Sequence, residues 1–120
     1  MFFDEEMLLD LRLNIMNKYV DKFIITEATY MHSGKNKKLV FDINKFSKFK
    51  DKIIYNVVDK QPVDIEKINK DDDNKTKGNK LIHNSIKREN YQREMAKKSL
   101  DDLQEDDIIL INDVDEIPNL

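Results

Sequence analysis

The chain has 120 residues, 21 of them basic and 24 acidic, for a net charge of −3, and it contains no cysteine. That length holds one domain, and the lack of cysteine excludes disulfides, thiolate zinc sites and thiol catalysis together, which suits a reducing compartment. The charges are mixed along the chain, so there is no basic stripe for nucleic acid and no cationic face for a membrane; no apolar run approaches the ~20 residues of a membrane helix, and the expected location is cytoplasmic.

Asp4 is placed to cap a first helix, with Glu5 and Glu6 in the first turn, where negative charge meets the helix dipole. Met7, Leu8, Leu11, Ile15 and Tyr19 recur at helical spacing and form its expected apolar face. Phe23-Ile24-Ile25-Thr26 reads as a short buried strand ending on Glu27, followed by a polar turn around His32-Ser33-Gly34-Lys35. Between Leu39 and Phe49 the pattern is weaker, and Phe41, Phe46 and Phe49 are expected to pack on the sheet. Ile53 to Val58 is the second predicted strand, ending on Asp59. Apolar content then collapses, and a stretch of about 60–82 that includes Asp71-Asp72-Asp73 reads as a mobile connection. Asn84 or Ser85 is expected to cap a second helix over roughly 85–99, with Ile86, Tyr91 and Met95 on its apolar side. Ile108-Ile109-Leu110-Ile111 cannot alternate between core and solvent, so it predicts a strand buried on both faces.

Each predicted strand delivers acids at its carboxyl end: Glu27, Asp59, then Asp113 and Asp115. In a parallel sheet these ends share one rim, where open α/β sheets bind their ligands. Asp113 and Asp115, two apart, point to the same side if strand geometry persists, and like charges that close call for a proton or a cation between them. A hard divalent ion, Mg²⁺ or Mn²⁺, bridged to a diphosphate is the usual occupant of such a site. Glu116 would point the other way and support the ligands. Glu27 and Asp59 are candidates for ribose hydroxyls or a uracil edge. Arg88 and Arg93, five apart, share a helix face only loosely, and Arg93 is the candidate for phosphate. His32 and His83 read as turn residues, since neither has a second nitrogen ligand or a cysteine at metal spacing.

Phe2-Phe3-Asp4-Glu5 leading into Leu8-Leu9-Asp10-Leu11-Arg12-Leu13-Asn14 opens an ordered series of short motifs. Phe23-Ile24-Ile25-Thr26-Glu27, Gly34-Lys35 with Lys38-Leu39-Val40-Phe41, Lys52-Ile53-Ile54, and Arg88-Glu89-Asn90-Tyr91-Gln92-Arg93 continue it. It closes on Asp106-Asp107-Ile108-Ile109 through Asp113-Val114-Asp115-Glu116-Ile117-Pro118. The series resembles the amino-terminal half of glycosyltransferase family 17, the β-1,4-mannosyl-glycoprotein 4-β-N-acetylglucosaminyltransferases, and covers nearly the whole chain. The resemblance implies a GT-A-like α/β fold, mostly parallel and incomplete here, over a single portion 1–120. It also implies a UDP-sugar donor, a glycan acceptor, and Mn²⁺ or Mg²⁺ held at Asp113 and Asp115. The catalytic base and acceptor site of such enzymes usually follow the D-x-D, so the isolated chain is expected to be inactive and prone to self-association.

Other classes fit less well. A haloacid-dehalogenase-type phosphatase needs a small residue and then Thr or Val after the second aspartate, where this chain has Glu116-Ile117-Pro118. A calcium loop needs a glycine turn, and no glycine lies within thirty residues of Asp113. A non-catalytic remnant or interaction protein that keeps the donor half of the fold is the remaining alternative, and weak binding of UDP-sugar with metal separates the two.

Overall fold

A computed structural model describes residues 1–120. In chain order it holds helix α1 (Glu6–Met16), strand β1 (Phe23–Ala28), kinked 3-10 turns over Ile43–Lys52, strand β2 (Ile53–Val58) and helix α2 (Asn74–Ala96). The two strands form one parallel sheet in the register Phe23↔Ile53 to Ala28↔Val58, with the helices against it, an α/β arrangement. The β-branched and aromatic runs that predicted both strands are the reason they form: such side chains suit a pleated, half-buried surface.

The main core lies between α1, β1 and the 3-10 turns, where Leu9, Leu13 and Met16 meet Phe23, Phe46 and Phe49. Phe41 packs against it and stacks on Phe46 at 5.6 Å between ring centroids, as the phenylalanine spacing led one to expect. The buried face of α1 is not the expected one. Leu13 is fully buried while Met7, Leu11, Ile15 and Tyr19 are exposed, because α1 is apolar on two sides and periodicity alone does not say which side meets the sheet.

Two other expectations are corrected. Helix α2 starts at Asn74, inside the stretch 60–82 assigned to the connection, because the Asp73 carboxylate accepts from the Thr76 N–H at 2.6 Å and caps it there. Its buried residues are Asn84, Arg88 and Gln92, a polar stripe at four-residue spacing, while Ile86 faces solvent. The irregular part of the connection is pinned to this stripe: Asn84 donates to the Glu66 carbonyl and accepts from the Glu66 N–H, each at 2.8 Å.

Ile108–Ile111 is also not a strand. It runs irregular and exposed, with Ile108 88% exposed, since the sheet has only two strands and neither edge takes it up. The chain returns to the core only at Val114 and Ile117. No helix is long and apolar enough to cross a membrane.

Candidate functional site

A cavity of about 620 Å³ opens at the carboxyl end of β1. Its walls come from the segment entering α1 (Phe2, Phe3), the end of β1 (Ala28, Tyr30), the turn at His32 and Ser33, α2 (Glu89, Gln92) and the tail (Asp113, Asp115). Ligand clefts in open α/β folds form at this end of a parallel strand. Although the run before them is not a strand, both aspartates reach the cavity.

The tail does so as a turn. The Glu116 N–H donates to the Asp113 carbonyl at 3.1 Å and the Ile117 N–H to the Asp115 carbonyl at 3.2 Å. The Glu116 carboxylate accepts from the Asp113 N–H at 3.0 Å, closing the turn on itself. Strand alternation therefore does not set the direction of these side chains. Arg12 fixes the turn on α1: its guanidinium donates to the Asp113 and Glu116 carbonyls and, at 2.9 Å, to the Asn112 side chain. Burial is the main cause that lowers the Arg12 pKa, partly offset by the nearby Glu116 charge. Sequence reasoning missed Arg12, since its partners lie about a hundred residues away; its one sequence signal is a charge between Leu11 and Leu13.

Arg93 sits over the same turn. Its Nη2 lies 3.3 Å from both Asp113 carboxylate oxygens and 3.0 Å from Glu89, while its Nε is buried with no partner. Arg93 thus already holds one of the two cavity aspartates. Arg88, by contrast, is buried away from the cavity, donating to Gln61 at 2.8 Å and to the His32 carbonyl at 3.0 Å. It braces the turn that forms one cavity wall. Gly34 makes this possible: its φ is +88°, and a Cβ there would lie 2.5 Å from the Arg88 guanidinium.

The remaining predicted acids are elsewhere. Glu27 is fully buried, and its two oxygens accept from Lys37, from Tyr55 at 2.7 Å, and from the Val40 and Phe41 N–H groups at 2.9 and 3.1 Å. Burial pushes its pKa up, but the Lys37 and Tyr55 side chains and the two amides outweigh that and hold it below the usual range. Burial and the Glu27 carboxylate together raise the Tyr55 pKa. With every acceptor site met by the chain's own donors, Glu27 staples residues 37–41 to the sheet rather than reaching for a ligand. Asp59 is exposed beside a separate small recess with Asn56 and Met95, so it does not join Asp113 and Asp115. The convergence of all four acids is thus replaced by a pair.

Chemically the cavity is acidic. Glu5, Glu89, Asp113 and Asp115 line it, against the Met1 amino group, Lys37, whose ammonium is committed to Glu27, and Arg93, which pairs with Glu89 and Asp113. No three His, Cys, Asp or Glu side chains converge closely enough to hold a metal ion by themselves. Carboxylate oxygens are the donor type that hard ions such as Mg²⁺ and Mn²⁺ take, with further oxygen ligands completing the shell.

A family model for glycosyltransferase family 17 matches residues 1–120. The chain belongs to glycosyltransferase family 17. No curated protein and no solved structure matches it. Membership identifies a glycosyltransferase, which takes a sugar from a donor and passes it to an acceptor. The family series read from the sequence maps onto the built site at both ends: its opening motif supplies Phe2, Phe3 and Arg12, and its closing motif the turn that Arg12 holds.

Proposed function

We propose that this glycosyltransferase binds a UDP-sugar of the N-acetylglucosamine type in the cavity at the end of β1, within a GT-A-like fold, and transfers the sugar to a glycan acceptor. The observation that carries the reading is the placement of Asp113 and Asp115 together on that cavity. Four carboxylates line the cavity, and of the cations there Lys37 is committed to Glu27 and Arg93 to Glu89 and Asp113, so the lining favours a diphosphate that arrives with a divalent cation. Asp113 and Asp115 are the residues to hold Mg²⁺ or Mn²⁺, which when bound supplies electrostatic stabilisation of the diphosphate leaving group. Glu116 keeps the turn in shape through the Asp113 amide, and Arg12 anchors it from behind. Arg93, whose guanidinium lies 3.3 Å from the Asp113 carboxylate, would pair with a phosphate of a donor bound there. Phe3, half exposed at the cavity mouth, is the aromatic side chain placed to meet a base or sugar ring.

Amide NMR tests the location. Titrating UDP-N-acetylglucosamine with Mg²⁺ into the chain should shift the signals of Ala28, Gln92 and Val114. Shifts confined to Asn56, Asp59 and Met95, around the other recess, would place the donor elsewhere.

A further inference from the structure

The buried polar stripe of α2 holds three side chains at four-residue spacing, and two have partners within the chain. Asn84 clips Glu66, and Arg88 clips Gln61 and His32. Gln92 is the third, 4% exposed, and no hydrogen bond of the chain engages its side chain. Neither of its amide atoms is among the sealed, partnerless ones, which are Glu66 Oε2 and Arg93 Nε. It borders the cavity and is the only carboxamide that does. The residue is buried but its amide atoms are not sealed, so at the cavity edge they are open to a ligand.

An open carboxamide suits a ligand of definite shape. A carboxamide presents one acceptor and one donor side by side in a plane, so its complement carries an N–H beside a C=O on the same edge. The imide edge of uracil has that arrangement. An acetamido group, whose N–H and C=O point in opposite directions, does not. A sugar hydroxyl asks only for a single donor or acceptor and makes no use of the paired edge. We infer that Gln92 reads the base of the nucleotide donor, with Oε1 accepting from the ring N–H and Nε2 donating to the adjacent carbonyl. This rests on the nucleotide-sugar reading of the cavity and adds the residue that selects the base.

Calorimetry with UDP and with N3-methyl-UDP, in the presence of Mg²⁺, tests it on the 120-residue chain and on Gln92→Leu and Gln92→Glu. The parent should prefer UDP at least tenfold. Gln92→Leu should bind UDP about tenfold more weakly and lose most of that preference, and Gln92→Glu, which keeps acceptors but has no donor for the carbonyl, should weaken UDP as well. Gln92→Leu should melt no lower than the parent, because the Gln92 amide holds nothing in the chain; Gln92→Glu is read for affinity alone, since it adds a carboxylate to an acidic lining. Unchanged UDP affinity in Gln92→Leu, or a melting temperature several degrees lower, overturns the role of Gln92 alone. A parent that binds no uridine nucleotide with Mg²⁺ overturns the donor reading and this inference with it.

Discussion

Replacing Glu27 by leucine should be among the most damaging single changes in this chain. Glu27 is fully exposed to four donors and not at all to water: Lys37, Tyr55 and two backbone amides converge on it, and the Lys37 side chain is itself only 8% exposed. Removing the carboxylate leaves a buried ammonium with only the Lys38 carbonyl, 3.0 Å away, as acceptor. Breaking one side of a buried ion pair typically costs about 3–5 kcal/mol, against about 5–15 kcal/mol for the total stability of a domain. Urea unfolding followed by circular dichroism measures the loss. The double variant Glu27→Leu/Lys37→Met should recover much of it, because it removes the stranded charge as well. The pH dependence has a fixed sign: the folded pKa of Glu27 lies below its unfolded value, so its stabilisation is complete above the ordinary carboxylate range, about 4.3, and is lost as pH falls through the folded pKa. The parent should therefore lose stability in acid more steeply than Glu27→Gln. A loss below about 1 kcal/mol for Glu27→Leu, or parallel acid profiles, would refute the staple and return Glu27 to the list of ligand-binding candidates.

Leu13→Ala should cost about 2–5 kcal/mol while Leu11→Ala costs under about 1 kcal/mol, measured by the same unfolding; the reverse order would mean α1 presents its other face to the sheet. Gly34→Ala should destabilise by at least about 1–2 kcal/mol, since alanine resists a φ of +88° and its Cβ would collide with the Arg88 guanidinium, and Gly34→Ala/Arg88→Ala should recover part of that loss. Arg12→Gln should speed amide exchange at Glu116 and Ile117 without changing it at Phe23 to Ala28, because Arg12 holds the tail and not the sheet; equal rates in parent and variant would show that the turn stands by itself.

The parallel strand pair was legible because Phe23–Thr26 and Ile53–Val58 are short, β-branched and separated by enough chain for a crossover. The phenylalanine cluster was legible for a similar reason, as large rings have few places to go other than the core. What the pattern does not carry is opposition. α1 is apolar on two faces, and only the position of β1 decides that Leu13 rather than Leu11 is buried. Ile108–Ile111 has the composition of an interior strand, yet forming one takes a neighbouring strand edge, which nothing in the run itself supplies. The site was half legible. Asp113 and Asp115, singled out by their spacing, do line one cavity, whereas Glu27 and Asp59 were grouped with them by an end-of-strand rule that says nothing of depth, and one is sealed while the other faces a different recess. Arg12 and Gln92 escaped because their meaning lies in contacts: Arg12 finds its partners in the distant tail, and Gln92 is conspicuous only beside the occupied Asn84 and Arg88.

The central claim, a metal-assisted nucleotide-sugar site at Asp113 and Asp115, is tested most directly by calorimetric titration of UDP-N-acetylglucosamine at several Mn²⁺ concentrations. Coupled binding is expected, each ligand tightening the other by the same factor, with the coupling abolished in Asp115→Ala and weakened in Asp113→Ala. Nucleotide affinity that is indifferent to Mn²⁺, or coupling that survives in both variants, would contradict it.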